Sequence, residues 1–405
     1  CEVRYTGISG YVPTLGKHML VSIATNQSRS LANDFRYAGD WGDCGSGVAH
    51  NTGNPDKFNF TLVHKSSYLC FLPRCENVTL GSNIKLQQIE VKADKSIAGK
   101  YDFSDGTLIG KAPIDNANQR IILQTDNFVL DNTTTTIDKS AYMVIAPGTY
   151  DLSVTYTIVD PTTNAKVEVV KQLNNFNCPE GKIRDVTAWI DKDFKSYTIK
   201  YYMWDAQYHY WWGHESEQPL VNGGKGTNYP HNPPDPRWYN TSDPGLGKMF
   251  EGQTDLFKTI PNVNEMLWYI YHGDPHWESP KFRTMVRDGH VVVFNMGGLW
   301  LKKKAKIMAD EGITEEQMKK GYPKANPKDW RATTITSLPP AVTPSTAPVP
   351  NTVDYFFLPA MGYFLGNGEI LNLGTVARYW TSTASFNYRA NQFFLEFNSG
   401  SVHLG

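Results

Sequence analysis

The chain has 405 residues, enough for two or three domains and for a full hydrophobic core without disulfide help. Its 39 Lys and Arg against 40 Asp and Glu leave a net charge of -1, so nothing in its electrostatics points to a nucleic-acid partner. Aromatic residues reach 13%, which suits β structure and contact surfaces, and no apolar run attains the roughly 18 residues of a membrane-spanning helix.

The chain opens on Cys1 rather than Met, as a processed protein would. The other cysteines are Cys44, Cys70, Cys75 and Cys178, which allow three pairings in an exported protein. Cys70 and Cys75 flank Pro73 and could close a small loop. Residues 1–54 are rich in Gly, Asn, Asp and Ser and are expected to supply an edge strand and loops.

From about residue 58 the pattern is all-β. Leu152, Val154, Tyr156 and Ile158 alternate with Asp151, Ser153, Thr155 and Thr157, which predicts a strand with one buried face. Pro147-Gly148 turns into it, residues 160–164 turn out of it, and Lys166 to Val170 returns as a hairpin partner. Ile84 to Lys92 reads as a strand whose alternation slips by one residue, the mark of a bulge. Short strands with regular turns predict a β-sandwich.

Near Lys195 the character changes. Ser196 to Trp204 reads as a strand, and residues 213–260 as long Pro-, Gly- and Asn-rich loops. Asn262 as N-cap with Glu265 three residues on predicts a helix with Val263, Met266, Leu267 and Ile270 on its buried face and its end at Gly273. Thr314 with Gln317 starts a second helix that stops at Gly321, and the five prolines between Leu338 and Pro350 predict an extended connection. In the last stretch, Phe393, Leu395 and Phe397 share one face of a strand before a turn at Asn398-Ser399-Gly400.

Two resemblances follow from these segments. The order of Phe60–Lys65, Lys85–Val91, Ala98–Phe103 and Ala146–Leu152 resembles the fimbrillin family, the subunits of Bacteroidetes type V pili. That resemblance implies a transthyretin-like sandwich made as a lipoprotein, with the lipid on Cys1, and a candidate maturation cut after Arg29 or Arg36. The sequences Leu358-Pro359-Ala360, Gly362-Tyr363, Tyr379-Trp380-Thr381-Ser382-Thr383 and Ser399-Gly400-Ser401-Val402 resemble the C-type-lectin-like modules of Bacteroidetes surface proteins. Residues 261–277 and 297–300 are similar to the helix and core of those modules. The fold expected is therefore mainly β with an α+β C-terminal domain: a sandwich over 1–195 and a lectin-like, ligand-binding domain over 196–405.

The expected contact surface is Ser385, Phe386, Asn387, Tyr388, Arg389, Asn391 and Gln392, with His403 beyond the final turn. Tyr and Arg supply hot-spot energy, and Asn and Ser adaptable hydrogen bonds. Tyr379 and Trp380 are expected to pack rather than bind. His209, His214 and Glu215, like His272, Asp274 and His276, are metal-binding types without a known ligand spacing, so no metal or other cofactor is expected. The Glu-Pro-Asn and Trp-Asn-Asp triplets of calcium-dependent lectins are absent. So are Gly-x-Ser-x-Gly, His-Glu-x-x-His and any Cys in 196–405, which argues against an enzyme. Together these features predict a cell-surface or pilus-tip adhesin, an outer-membrane lipoprotein that holds a glycan or protein on another cell surface. The alternative is a structural or anchor subunit that joins other pilus subunits by strand exchange.

Overall fold

The computed structural model describes residues 1–7, 19–28, 31–130, 132, 139–242, 247–334, 336–386 and 392–405. It is mainly β, 43% strand against 11% helix, and divides into two compact units, Cys1–Phe194 and Lys195–Gly405.

The first unit is built on the long hairpin that the alternation at 151–158 announces. Strand Gly148–Asp160 pairs antiparallel with Ala165–Cys178 on one side and Lys85–Ala93 on the other. Arg120–Val129 and the short parallel strand Asn26–Ser28 complete a five-stranded sheet. Leu152, Val154, Tyr156 and Ile158 are buried, as their spacing requires. The slip between Ile84 and Lys92 is a bulge at Gln87: Gln88 pairs with Thr157 and Leu86 with Ile158, leaving Gln87 without a register partner. A three-stranded sheet, Ala141–Ile145, Ser67–Arg74 and Ile183–Trp189, supplies the facing layer. Its Phe71 meets Tyr156 edge-on, with ring centroids 6.2 Å apart. The residues at 60–65 lie at an exposed edge rather than in the core, with only Val63–His64 forming a short strand.

None of the cysteines is in a disulfide. The expected loop from Cys70 to Cys75 does not close because Ser67–Arg74 is one continuous strand. Five residues at strand rise separate the two Cα atoms by about 16 Å, beyond the ~7 Å a disulfide tolerates. Cys75 instead donates to Asn77 O at 3.2 Å. Burial pushes the Cys44 and Cys178 thiols up to about 12, so both stay protonated.

In the second unit, strands Ser196–Thr198, His276–Arg287, His290–Lys302 and Tyr355–Pro359 form one sheet. Ile370–Leu373, Met361–Phe364, Ala377–Ala384, Gln392–Phe397 and Val402–Leu404 form another. Asp288 and Gly289, at φ 46° and 73°, make the two-residue hairpin turn between the long strands. The strand expected over Ser196 to Trp204 ends at Thr198. Beyond it the backbone is bonded to a loop instead of a ladder, with Tyr201 O accepting from Tyr210 N at 2.7 Å.

Helix Val263–His272 begins with the expected capping box, Asn262 with Glu265. It is buried on every side from Val263 to Ile270, not on one face. Its polar side satisfies itself within the protein: Asn264 Nδ2 donates to Lys319 O at 2.9 Å and Asp329 Oδ1 at 2.8 Å, and Lys304 Nζ lies 2.8 Å from Glu265 Oε1. Its apolar side packs with Leu299, Leu301, Phe393, Leu395 and Phe397. Helix Glu315–Lys320 carries the second expected capping box, Thr314 with Gln317.

Candidate ligand-binding cleft

The segment after Thr198 carries Lys200, Tyr201, Tyr202 and Trp204 against the edge of the C-terminal sheet. Between it and strands Met361–Phe364, Ala377–Ala384 and Gln392–Phe397 lies a cleft of about 480 Å³. That is within the usual range for small-molecule and oligomer sites. Its walls are aromatic, and the aromatic rings are fixed by their own polar tips. Tyr201 Oη donates to Met361 O at 2.7 Å, Tyr379 Oη to Pro359 O at 2.8 Å, and Tyr210 Oη to Leu365 O at 3.2 Å. Trp380 Nε1 donates to Tyr202 O at 2.7 Å and Trp204 Nε1 to Thr381 O at 3.0 Å. Burial pushes the phenols of Tyr201, Tyr202, Tyr210 and Tyr379 above their ordinary value, so all four remain neutral donors.

Ring contacts brace the same walls. Tyr201 meets Phe364 edge-on at 4.7 Å, Tyr210 stacks on Phe364 at 5.1 Å, and Trp380 meets Phe394 at 5.6 Å. The polar chemistry left to the cleft is sparse. Arg378 lies 3.8 Å from the centre of the Tyr363 ring, and its Nε donates to Glu396 Oε2 at 2.6 Å. Gln392 and Lys200 also line it, and Lys200 is exposed, with no ion pair among the described residues. The arrangement can hold a ligand with flat or apolar faces and a few polar groups, by contact alone.

Of the contact residues read from the sequence, Gln392 lines this cleft. Asn387, Tyr388, Arg389 and Asn391 lie outside the described residues, as does Arg29. Ser385 is half-buried, and Phe386 O accepts from Gly247 N at 3.2 Å. His403 stands opposite Glu396 on the last strand, half-buried, and does not line the cleft. Tyr379 and Trp380, expected to pack, both pack and form the wall. Tyr201-Tyr202-Met203-Trp204 was legible as aromatic density, but its reading as a strand hid its role as a wall.

The histidines have structural partners. His209 Nε2 lies 3.3 Å from Glu215 Oε1, and His214 Nδ1 3.3 Å from Glu217 Oε1. Burial, with Lys200 nearby, holds His209 below the ordinary histidine value. His272 Nδ1 is 2.7 Å from Glu311 Oε1, and His276 Nδ1 donates to Ala347 O at 2.7 Å. Among the described residues, no group of three His, Cys, Asp or Glu is placed to hold a metal ion. No described helix is long and apolar enough to cross a membrane.

No family model matches the chain, and no curated protein matches it. Three solved structures are similar to part of it, each described as a "putative cell adhesion protein". The one from Bacteroides ovatus is 13% identical with a TM-score of 0.29, over 46% of this chain and 61% of that one. The one from Bacteroides uniformis is 13% identical with a TM-score of 0.28, over 44% of this chain and 65% of that one. The one from Bacteroides fragilis is 10% identical with a TM-score of 0.23, over 37% and 53%. The chain thus spans less than two thirds of each.

Proposed function

We propose that this chain is a cell-surface adhesin whose 195–405 unit holds a glycan or protein ligand of another cell in the aromatic cleft, without covalent chemistry. The observation that carries the reading is the fixed aromatic wall. Tyr201, Tyr210, Tyr379, Trp204 and Trp380 direct their polar tips into the protein's own backbone. The cleft is therefore rigid before any ligand arrives, and binding there costs little ordering entropy. In this reading a lipid on Cys1 anchors the chain at the outer membrane. Intact-mass measurement of membrane-extracted protein, finding Cys1 unmodified, would remove the anchor.

The test uses the full chain on glycan and extracellular-protein arrays, with Leu256→Asp and Gln392→Ala beside the parent. Leu256 lines the cleft and is 42% exposed, so a charge there spoils the cleft without burying an ion. Binding by the parent that falls at least about tenfold in Leu256→Asp supports the adhesin. Binding that ignores both variants rejects the cleft as its seat.

A second reading, a pilus subunit joined by strand exchange, draws on one observation. Among the described residues, only Asn26–Ser28 pairs with the outer edge of the ten-residue strand Arg120–Val129. It predicts a cut after Arg29 or Arg36 in protein taken from cells. Arg36 is exposed, with its Nε 2.9 Å from Asp34 Oδ1. An uncut N-terminal peptide in assembled pili would rule the reading out.

A further inference from the structure

Two adjacent tryptophans at 211 and 212 have opposite fates. Trp211 is fully buried, and its backbone carbonyl accepts from His214 N at 2.8 Å in a tight turn. That turn carries Trp212 outward, where it remains 46% exposed. Its indole is nonetheless fixed, because Tyr208 stacks on it at 4.0 Å with the ring planes 15° apart. Tyr208 covers one face of the indole, and Trp212 but not Tyr208 lines a cavity beside it. That cavity is about 430 Å³ and is bordered by Gly213, His214, Pro234, Asp235 and Arg237. Gly213 has φ 76°, and a Cβ built on it would touch nothing within 4 Å, so the floor beside the indole is bare backbone.

The charges around this cavity cancel. Arg237 is buried, and all three of its nitrogens are engaged: Nε and Nη2 with Asp235, and Nη1 with Asn228 O at 2.8 Å and Tyr210 O at 3.4 Å. Four of its five N–H groups are thereby bonded, and the remaining Nη2 N–H belongs to a cation whose charge Asp235 already meets. Its hydrogen bond holds the Asp235 carboxyl below the usual range, so Asp235 is ionised but already compensated. The site therefore offers an apolar aromatic face, an imidazole, and a carboxylate that already accepts from Arg237 N, Nε and Nη2 and has one acceptor position left, with its charge balanced by Arg237.

We propose that Trp212 is the platform of a second binding site, separate from the cleft, that takes a neutral pyranose unit of a glycan. The apolar face of the sugar ring lies on the indole, and its hydroxyls bond to Asp235 and His214. The site stands whatever the cleft binds, because the two share no lining residue.

The experiment is saturation-transfer NMR on the full chain with lactose, maltotriose and chitotriose, and with tetramethylammonium and inorganic phosphate as charged probes. Trp212→Ala and Trp212→Phe are each made in the Leu256→Asp chain, whose cleft is spoiled, and are compared with that chain. The expected result is that Leu256→Asp still binds at least one of the sugars, and that this remaining binding is weakened about tenfold or more on adding Trp212→Ala and largely kept on adding Trp212→Phe. No binding of any of the three sugars by the Leu256→Asp chain, sugar binding there that survives Trp212→Ala, or a preference for either charged probe overturns the proposal. Circular dichroism of Trp212→Ala identifies a folding failure, and Trp212→Phe then decides, since a face-preserving change that abolishes binding also refutes stacking.

Discussion

In the 1–194 unit, strand Gly148–Asp160 is paired along nearly its whole length on both sides, so its backbone polar groups are satisfied by repetition. In the 195–405 unit, residues 202–260 hold no strand and only one short 3₁₀ turn among the described residues, and individual side chains fasten them. Asp205 is the clearest. It is buried and accepts from Gln253 N, Thr254 N, Thr254 Oγ1 and Asn240 Nδ2 at 2.6–2.9 Å. A ladder spreads its energy over many equivalent bonds, whereas a pinned loop concentrates it in a few residues. The cleft and the Trp212 platform both lie on the pinned side, where rings can be aimed without the period of a strand.

The sharpest way to break this contrast is to remove the pin. Asp205→Ala strands two backbone amides and two side-chain groups, and should cost the 195–405 unit about 4 kcal/mol. The check is chemical denaturation followed by residue-resolved hydrogen exchange, with protection in the 1–194 unit unchanged. A loss under about 1 kcal/mol would mean apolar packing holds the loops instead.

The counterpart in the ladder is Val154→Ala. It removes two buried methyl groups from the sandwich core and should cost about 2 kcal/mol, confined to the 1–194 unit. An equal loss of protection in both units would show that they do not unfold separately.

A smaller, pH-dependent effect concerns Glu251, which bridges a loop to the sheet. It accepts from Ser382 Oγ at 2.5 Å and Thr383 Oγ1 at 3.1 Å, with Arg331 Nη1 3.8 Å away. Burial raises its carboxyl above the usual value despite these partners. The folded carboxyl then keeps its proton at a pH where the unfolded one has lost it. Stability therefore falls as pH rises from the ordinary carboxylate range, about 4.3, through the folded value. Glu251→Gln should match the parent at low pH and gain on it as pH rises through that window, read as melting temperature against pH. A parent that gains on the variant instead would show that Arg331 and the hydroxyls outweigh burial.

Local rules predicted local features well. The slipped alternation at 84–92 became the Gln87 bulge, and Asn262 with Glu265 and Thr314 with Gln317 became capping boxes. Asp288-Gly289 between Val-rich segments is an equally strong local signal, for the hairpin turn. The expected contact run yields one cleft residue, Gln392, while Arg378 comes from the strand just before it and Lys200 and Tyr201 from a segment far from it in the chain.

By itself, the sequence determined the periodicity, turns and caps, because each depends on residues within a few positions of one another. It could not determine that helix Val263–His272 is buried all round, since the partners of Asn264 and Glu265 come from residues 304–330. Nor could it tell Trp211 from Trp212, or a packing Trp380 from a cleft wall. One ring is covered and another left open according to which distant backbone carbonyl or ring it meets, and only the tertiary structure decides that meeting.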